Sequence, residues 1–275
     1  MPQHASAASA TPEIEHDDDS VTMSFDGDLI QSRMRLDDPT ALDLQYSQVM
    51  MAFTMFLPQP RRALMIGLGG GSLVRHVLHH FPALHLTVVE INPAVLAARD
   101  TFQIPPDGAA LQTVCGDGAA FVKAAAPGAY DLILVDAFDE VGEPDALSNS
   151  AFYRSCRDAL APEGVLVVNL LDREPRCSTL IGRIWSVFGE PVLPLEVECE
   201  GNRIVLASSD EVFRHCARKL RQQWQQLLPV HQEMLDGLQD ELEEVLQPWA
   251  ARPKAAPQPS KGKRRGKGGA SKPRP

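Results

Sequence analysis

Ala63-Leu64-Met65-Ile66-Gly67-Leu68-Gly69-Gly70-Gly71-Ser72 decides the architecture. Five residues of continuous apolar chain read as a strand buried on both faces. Glycines then let backbone approach a ligand without obstruction by Cβ, and a helical pattern opens at Ser72. A strand, a glycine-rich turn and a helix in that order form the phosphate- and nucleoside-binding corner of an open α/β sheet.

The same alternation continues outward. Residues 84–90, 111–115, 130–136 and 164–170 read as strands, and 72–80, 93–102, 119–125 and 150–159 as helices. Repeated strand–helix units with continuous apolar strands predict a doubly wound, mainly parallel sheet in the α/β class. A helix after residue 178 and strands at 191–198 and 203–207 complete it. Upstream, residues 42–57 read as a helix. Residues 21–35 read as a β-hairpin turning at Asp26-Gly27-Asp28. From 210 to 249 the pattern is helical, broken at Pro229. The predicted organisation is a disordered N-terminus over 1–19, a β-hairpin leader over 20–45 and a nucleotide-binding catalytic domain over 46–209. A C-terminal helical segment over 210–250, packing on the domain or supporting a homodimer, and a disordered basic tail over 251–275 follow.

The 275 residues are 44% hydrophobic and 23% charged, as in ordinary globular proteins. No apolar run approaches the roughly 20 residues that span a bilayer, and the N-terminus lacks a secretory pattern. Five scattered cysteines with no CxxC pair predict reduced thiols and a cytoplasmic protein. Cys115 and Cys156 read as buried thiols. The net charge of −10 is uneven. Nine of the 26 Lys and Arg residues lie after Ala251 with no acid among them, so 17 face all 36 acids in the body. That tail either contacts nucleic acid weakly through phosphates or serves as a solubilising segment.

Candidate site residues sit where strands end. Gly67, Gly69, Gly70 and Gly71 form the loop, and Glu90 closes the second strand, where a carboxylate accepts both ribose hydroxyls. A NAD site fits this much equally. Asp117, ahead of Gly118 after the third strand, suits an adenine amine or a helix N-cap, and different atoms can serve both. Asp136 and Asp139, three apart after the fourth strand, can grip a cationic amine or take its proton, or cap the following segment. The eight histidines form no metal pattern: His76, His79 and His80 have helical spacing, but the adjacent His79 and His80 cannot share a face. Met50, Met51 and Met55 with Phe53 read as core.

These residues resemble the spermidine synthase (polyamine aminopropyltransferase) family, a relative of the class I S-adenosylmethionine-dependent methyltransferase fold. Phe25-Asp26-Gly27 with Gln31 resembles the family's leader, and Tyr46 its Tyr-x-x-Met helix. Residues 65–77, with Arg75, resemble its nucleotide loop. Residues 136–153 match its Asp-x-x-Asp-Pro-x-Gly-Pro through Ser-x-x-Phe-Tyr segment without a gap. The resemblance implies aminopropyl transfer from decarboxylated S-adenosylmethionine to a small amine, without metal. It implies Asp136 as general base, Glu90 on ribose, Asp117 on adenine and Gln31 on the nucleoside. Tyr46 and Asp139 are implied on the acceptor. The family's loop carries an aspartate, which pairs with the donor's ammonium, where this chain has Gly70. Its prolines are replaced by Glu140 and Glu143, and its Pro-x-Tyr-x-Gly-Gly stretch by residues 196–202. Two alternatives stay open: a small-molecule methyltransferase using intact S-adenosylmethionine, and a non-catalytic nucleoside-binding or interaction protein.

Overall fold

The structure, a computed structural model, describes residues 10–25, 30–138, 142–173, 175–197 and 201–253. The Asp26–Asp28 turn, Asp139 and the tail from residue 254 lie outside the described residues.

Five strands, β4 (Arg62–Ile66), β5 (His85–Glu90), β6 (Leu111–Cys115), β7 (Tyr130–Val135) and β8 (Leu160–Leu171), run parallel. Two more, β9 (Val192–Glu196) and β10 (Asn202–Ala207), join antiparallel, in the order β6-β5-β4-β7-β8-β10-β9. Alternate residues of each strand feed opposite cores, as a period of two demands. Ala63, Met65, Leu86, Val88, Leu132 and Leu134 face one way, and Leu64, Ile66, Val89, Ile133 and Val135 the other. The second core is covered by α4 (Gly118–Ala124), α5 (Ser150–Ala159) and α6 (Arg176–Phe188). The first is covered by α1 (Gln45–Met50), α2 (Ser72–His80), α3 (Pro93–Ala97) and the C-terminal helices α7 (Asp210–Gln226), α8 (Pro229–Leu235) and α9 (Gln239–Ala250). Met50, Met51, Phe53 and Met55 are fully buried there, each worth roughly 1.5–3 kcal/mol of burial. Leu220, Leu235, Leu242 and Leu246 join the same cluster, so the helical segment packs on the domain.

Four local expectations are corrected. The leader is a three-stranded antiparallel sheet, with β1 (Glu13–His16) drawn from the stretch read as disordered, then β2 (Ser20–Ser24) and β3 (Ile30–Arg35). Asp17–Asp19 is its turn, closed by Asp17 N–H donating to Ser20 O at 2.9 Å, while Ile14 packs on the core. A run of acids thus hid a hairpin. The helix read over 93–102 ends at Ala97, because Phe102 and Ile104 turn inward beneath the glycine loop. Cys115 is exposed, since β6 is the edge strand and is covered less fully than the centre. Arg252, read as the start of a free tail, stacks 4.0 Å over the Trp249 ring and pairs with Glu190.

A histidine pair ties α2 to α8. His76 donates from Nδ1 to Thr40 O at 2.9 Å, which makes its Nε2 the acceptor for His231 Nε2–H at 3.0 Å. Burial, with repulsion from His80, holds His76 down at about 3 and His231 at about 4. Both are neutral when folded and charge readily when unfolded, so their contribution is complete above pH 6.5 and is lost as pH falls toward 4. Between pH 7 and 5 this pair is expected to withdraw about 2 kcal/mol or more of stability. Urea melts of wild type and His231→Gln, which keeps an N–H donor, check it. Identical pH dependence in the two proteins would remove the histidines as its source.

Candidate active site

The order of strands reverses between β4 and β7, and ligands of open α/β sheets bind at the carboxyl ends of strands at such a switch point. Gly67 follows β4 with φ +95°, and a Cβ there would lie 2.0 Å from the Asp136 carbonyl oxygen. The absence of a side chain therefore lets the loop and the Asp136 backbone meet. Gly67 N–H donates to Val89 O and Asp136 N–H to Ile66 O, both at 2.9 Å, locking three strand ends together.

Glu90 is buried at the end of β5. Its Oε2 accepts from Leu68 N–H and its Oε1 from Asn92 N–H, each at 2.8 Å. These donors orient the carboxylate and oppose burial, which still holds its pKa above the ordinary value. Asp117 N-caps α4, with Oδ1 accepting from Ala119 N–H at 2.8 Å and Ala120 N–H at 3.4 Å. Gly118 is glycine for packing: a Cβ would come within 2.4 Å of Ile66.

Asp136 stands just past β7. Asn169 in β8 donates from Nδ2 to its Oδ1 at 2.9 Å, and the Tyr46 hydroxyl also bonds it. That hydroxyl lies 3.1 Å from Gln31 O, so one phenol proton serves the leader strand or the carboxylate in turn. Burial, helped by the nearby Glu90 charge, pushes Asp136 up to about 6, against the pull of Asn169 and Tyr46. A carboxyl near 6 is mostly ionised at neutral pH and holds a proton better than an ordinary aspartate.

Gly69 and Gly70 lie against the leader strand, and Gly71 opens α2 as its N-cap. A side chain at Gly70 would meet Ser32 Oγ at 2.7 Å and the Phe102 ring at 2.9 Å. The place a carboxylate would take is already filled. Behind the loop, buried Arg75 donates to Gly70 O at 2.5 Å and to Phe102 O at 2.7 Å, and desolvation lowers it to about 10. Glu143, standing where the family pattern has proline, is buried and accepts from Leu171 N–H at 2.6 Å and Arg176 Nε–H at 3.0 Å. In the stretch over 196–202, Glu196 shares Arg203 with Asp172.

The structure thus brings Gly67, Glu90, Asp136, Tyr46 and the Gln31 backbone to one edge of the sheet. Sequence reasoning missed Asn169, Ser32 and Phe102. Asn169 had a signal: it is the lone amide in the apolar run of residues 165–171. Among the described residues, no three His, Cys, Asp or Glu side chains group to hold a metal ion, and no helix is long and apolar enough to cross a membrane.

A sheet of this order, with a glycine loop and carboxylates on its carboxyl edge, defines the class: an α/β protein of methyltransferase-like fold. Residues 43–172 match the sequence model of the Spermine/spermidine synthase domain. A polyamine aminopropyltransferase of Chromobacterium violaceum is 40% identical over 204 residues, 73% of this chain and 78% of that protein. One from Neisseria meningitidis serogroup A is 39% identical over 188 residues, 68% of this chain and 71% of that protein. A probable spermidine synthase from Corynebacterium glutamicum shares the fold with a TM-score of 0.64 at 18% identity, covering 93% of this chain and 98% of its own. The chain belongs to the spermine/spermidine synthase family, and its relatives are transferases.

Proposed function

We propose that this protein transfers an aminopropyl group from decarboxylated S-adenosylmethionine to a small amine, with Asp136 as general base. The observation that carries this reading is the half-buried carboxyl of Asp136, of raised basicity, on a residue whose backbone carbonyl packs directly against the glycine loop at Gly67. Glu90 would take the ribose hydroxyls and Asp117 the adenine amine, through the oxygen its cap does not use. Gln31 and the glycines would line the nucleoside, and Tyr46 and Asp139 the acceptor.

The incoming amine is an ammonium and has no lone pair until a proton leaves. Asp136 takes that proton. The nitrogen then forms a bond to the carbon next to the sulfonium as the C–S bond breaks, with its electrons passing to sulfur. Methylthioadenosine departs neutral, and the acceptor becomes a secondary ammonium. Two cations repel as they approach, and the charges of Glu90 and Asp136 offset that repulsion in a site of low dielectric. Among the described residues, Cys115, Cys156, Cys177 and Cys216 form no disulfide.

A second reading has its own support. With Ser32 and Phe102 occupying the space beside Gly70, no carboxylate clamps an aminopropyl ammonium there. This favours methyl transfer from intact S-adenosylmethionine. One assay separates the two: purified protein receives both donors and a mixture of diamines and polyamines, with products read by mass spectrometry. Methylthioadenosine with a lengthened amine is the expected result. S-adenosylhomocysteine with a methylated acceptor would replace the first reading by the second, and retention of nucleoside without either product would support a binding protein.

A further inference from the structure

Asn169 lies within β8 between Val168 and Leu170, 2% exposed. An amide in a buried strand needs partners at both ends, because each polar atom left alone costs about 1–3 kcal/mol. Nδ2 meets Asp136 Oδ1, and Oδ1 meets Asn202 Nδ2 at 3.0 Å. The second contact follows from register. β8 and β10 pair antiparallel with Asn202 opposite Leu171 and Ile204 opposite Asn169, so the amides are diagonal neighbours on one face. Asn202 is itself buried, and its backbone carbonyl accepts from Val197 N–H at 3.2 Å.

An amide can present either end to its neighbour. Ionised Asp136 only accepts, so it requires the NH₂ end of Asn169. The Asn169 carbonyl must then find a donor, and Asn202 supplies one. We propose that Asn202 is a positioning residue for proton abstraction: acting through Asn169, it fixes which end of that amide faces the base. This rests on the reading of Asp136 as that base. Without Asn202, keeping the NH₂ toward the carboxylate leaves the Asn169 carbonyl buried without its donor, so that orientation is held less firmly, and the turned amide sets oxygen against oxygen. Among the described residues, the other groups facing Asp136 are Glu90 from β5, which repels its charge, and Tyr46 from α1, which supports it.

The test uses the full chain with Asn202→Leu and Asn202→Asp, read by the pH–rate profile and by a carbon-13 titration of the Asp136 carboxyl, assigned with Asp136→Asn. Asn202→Leu is expected to move the acidic limb and the carboxyl titration upward by about 0.5–1 unit. Turnover falls about 3–10-fold on the acidic side of the limb, less than about 2-fold at pH 7, and converges with wild type at high pH. Asn202→Asp, whose charge repels the Asn169 carbonyl, shifts both further the same way. A uniform loss of rate at every pH, with the carboxyl titration unmoved, overturns the proposal. Should Asn202→Leu fail to fold, Asn202→Asp decides by the same readouts. If Asp136→Asn keeps its turnover, the base reading fails, while the carboxyl titration still decides whether Asn202 governs Asp136.

Discussion

Asp136→Asn is expected to cut turnover roughly 10³-fold, the middle of the range for a positioned general base, and to make the unliganded protein more stable by about 2 kcal/mol at pH 7–8. Both effects have one cause. The folded protein holds Asp136 at about 6 because its surroundings desolvate the carboxylate, so keeping the charge there opposes folding. The sign is fixed by linkage. A carboxyl whose folded pKa is raised destabilises above that pKa, and the penalty fades as pH drops toward the unfolded value near 4. The variant's advantage is therefore largest at pH 7–8 and absent below pH 4. An asparagine can still accept from Asn169 Nδ2, so the neighbouring network survives. Urea unfolding at pH 8 and pH 4, beside single-turnover rates, measures both quantities. Turnover within 10-fold of wild type at pH 8 would remove Asp136 from the proton-transfer step, and a variant less stable at pH 8 would mean that burial is not what raises it.

Gly67→Ala carries the largest expected loss of stability, on the order of 3–5 kcal/mol. Two independent penalties add. At φ +95° a side chain is strained, and the new carbon would sit 2.0 Å from a backbone oxygen of Asp136. Backbone cannot rotate away as a long side chain can. Relief would have to come from pulling the loop off β7, which also breaks the 2.9 Å bonds from Gly67 N–H to Val89 O and from Asp136 N–H to Ile66 O. Binding of methylthioadenosine, followed by calorimetry, should fall at least 10-fold along with stability. Gly108→Ala is the internal control: its Cβ would meet nothing within 4 Å and its φ is not left-handed, so a change within about 0.5 kcal/mol is expected. Equal midpoints for the two variants in urea would show that the loop yields easily and that its contact with Asp136 is not tight.

How much of this was legible beforehand can be argued residue by residue. Gly67, Asp117 and Asp136 each follow a strand within two residues and Glu90 ends one, so finding the strands places them on one edge of a parallel sheet. Finding the strands needed only their short continuous apolar runs, alternating with helical patterns. The leader was harder, because Asp17, Asp18 and Asp19 carry the composition of a disordered tail yet form a turn. The short α3 was concealed in the same way: residues 98–102 have helical composition, and only the burial of Phe102 and Ile104 beneath the loop stops the helix.

The sequence by itself determined the strand–loop–helix order, the class of sheet and the carboxylates at its edge, because these depend on neighbours a few residues apart. Tertiary structure alone decided that Phe102 and Ser32 fill the space beside Gly70, that Asn202 reaches Asp136 through Asn169, and that His76 meets His231 across 155 residues of chain. Those contacts depend on strand register and on which helix covers which face. Such quantities are set when the whole core packs at once, and no local window of sequence contains them.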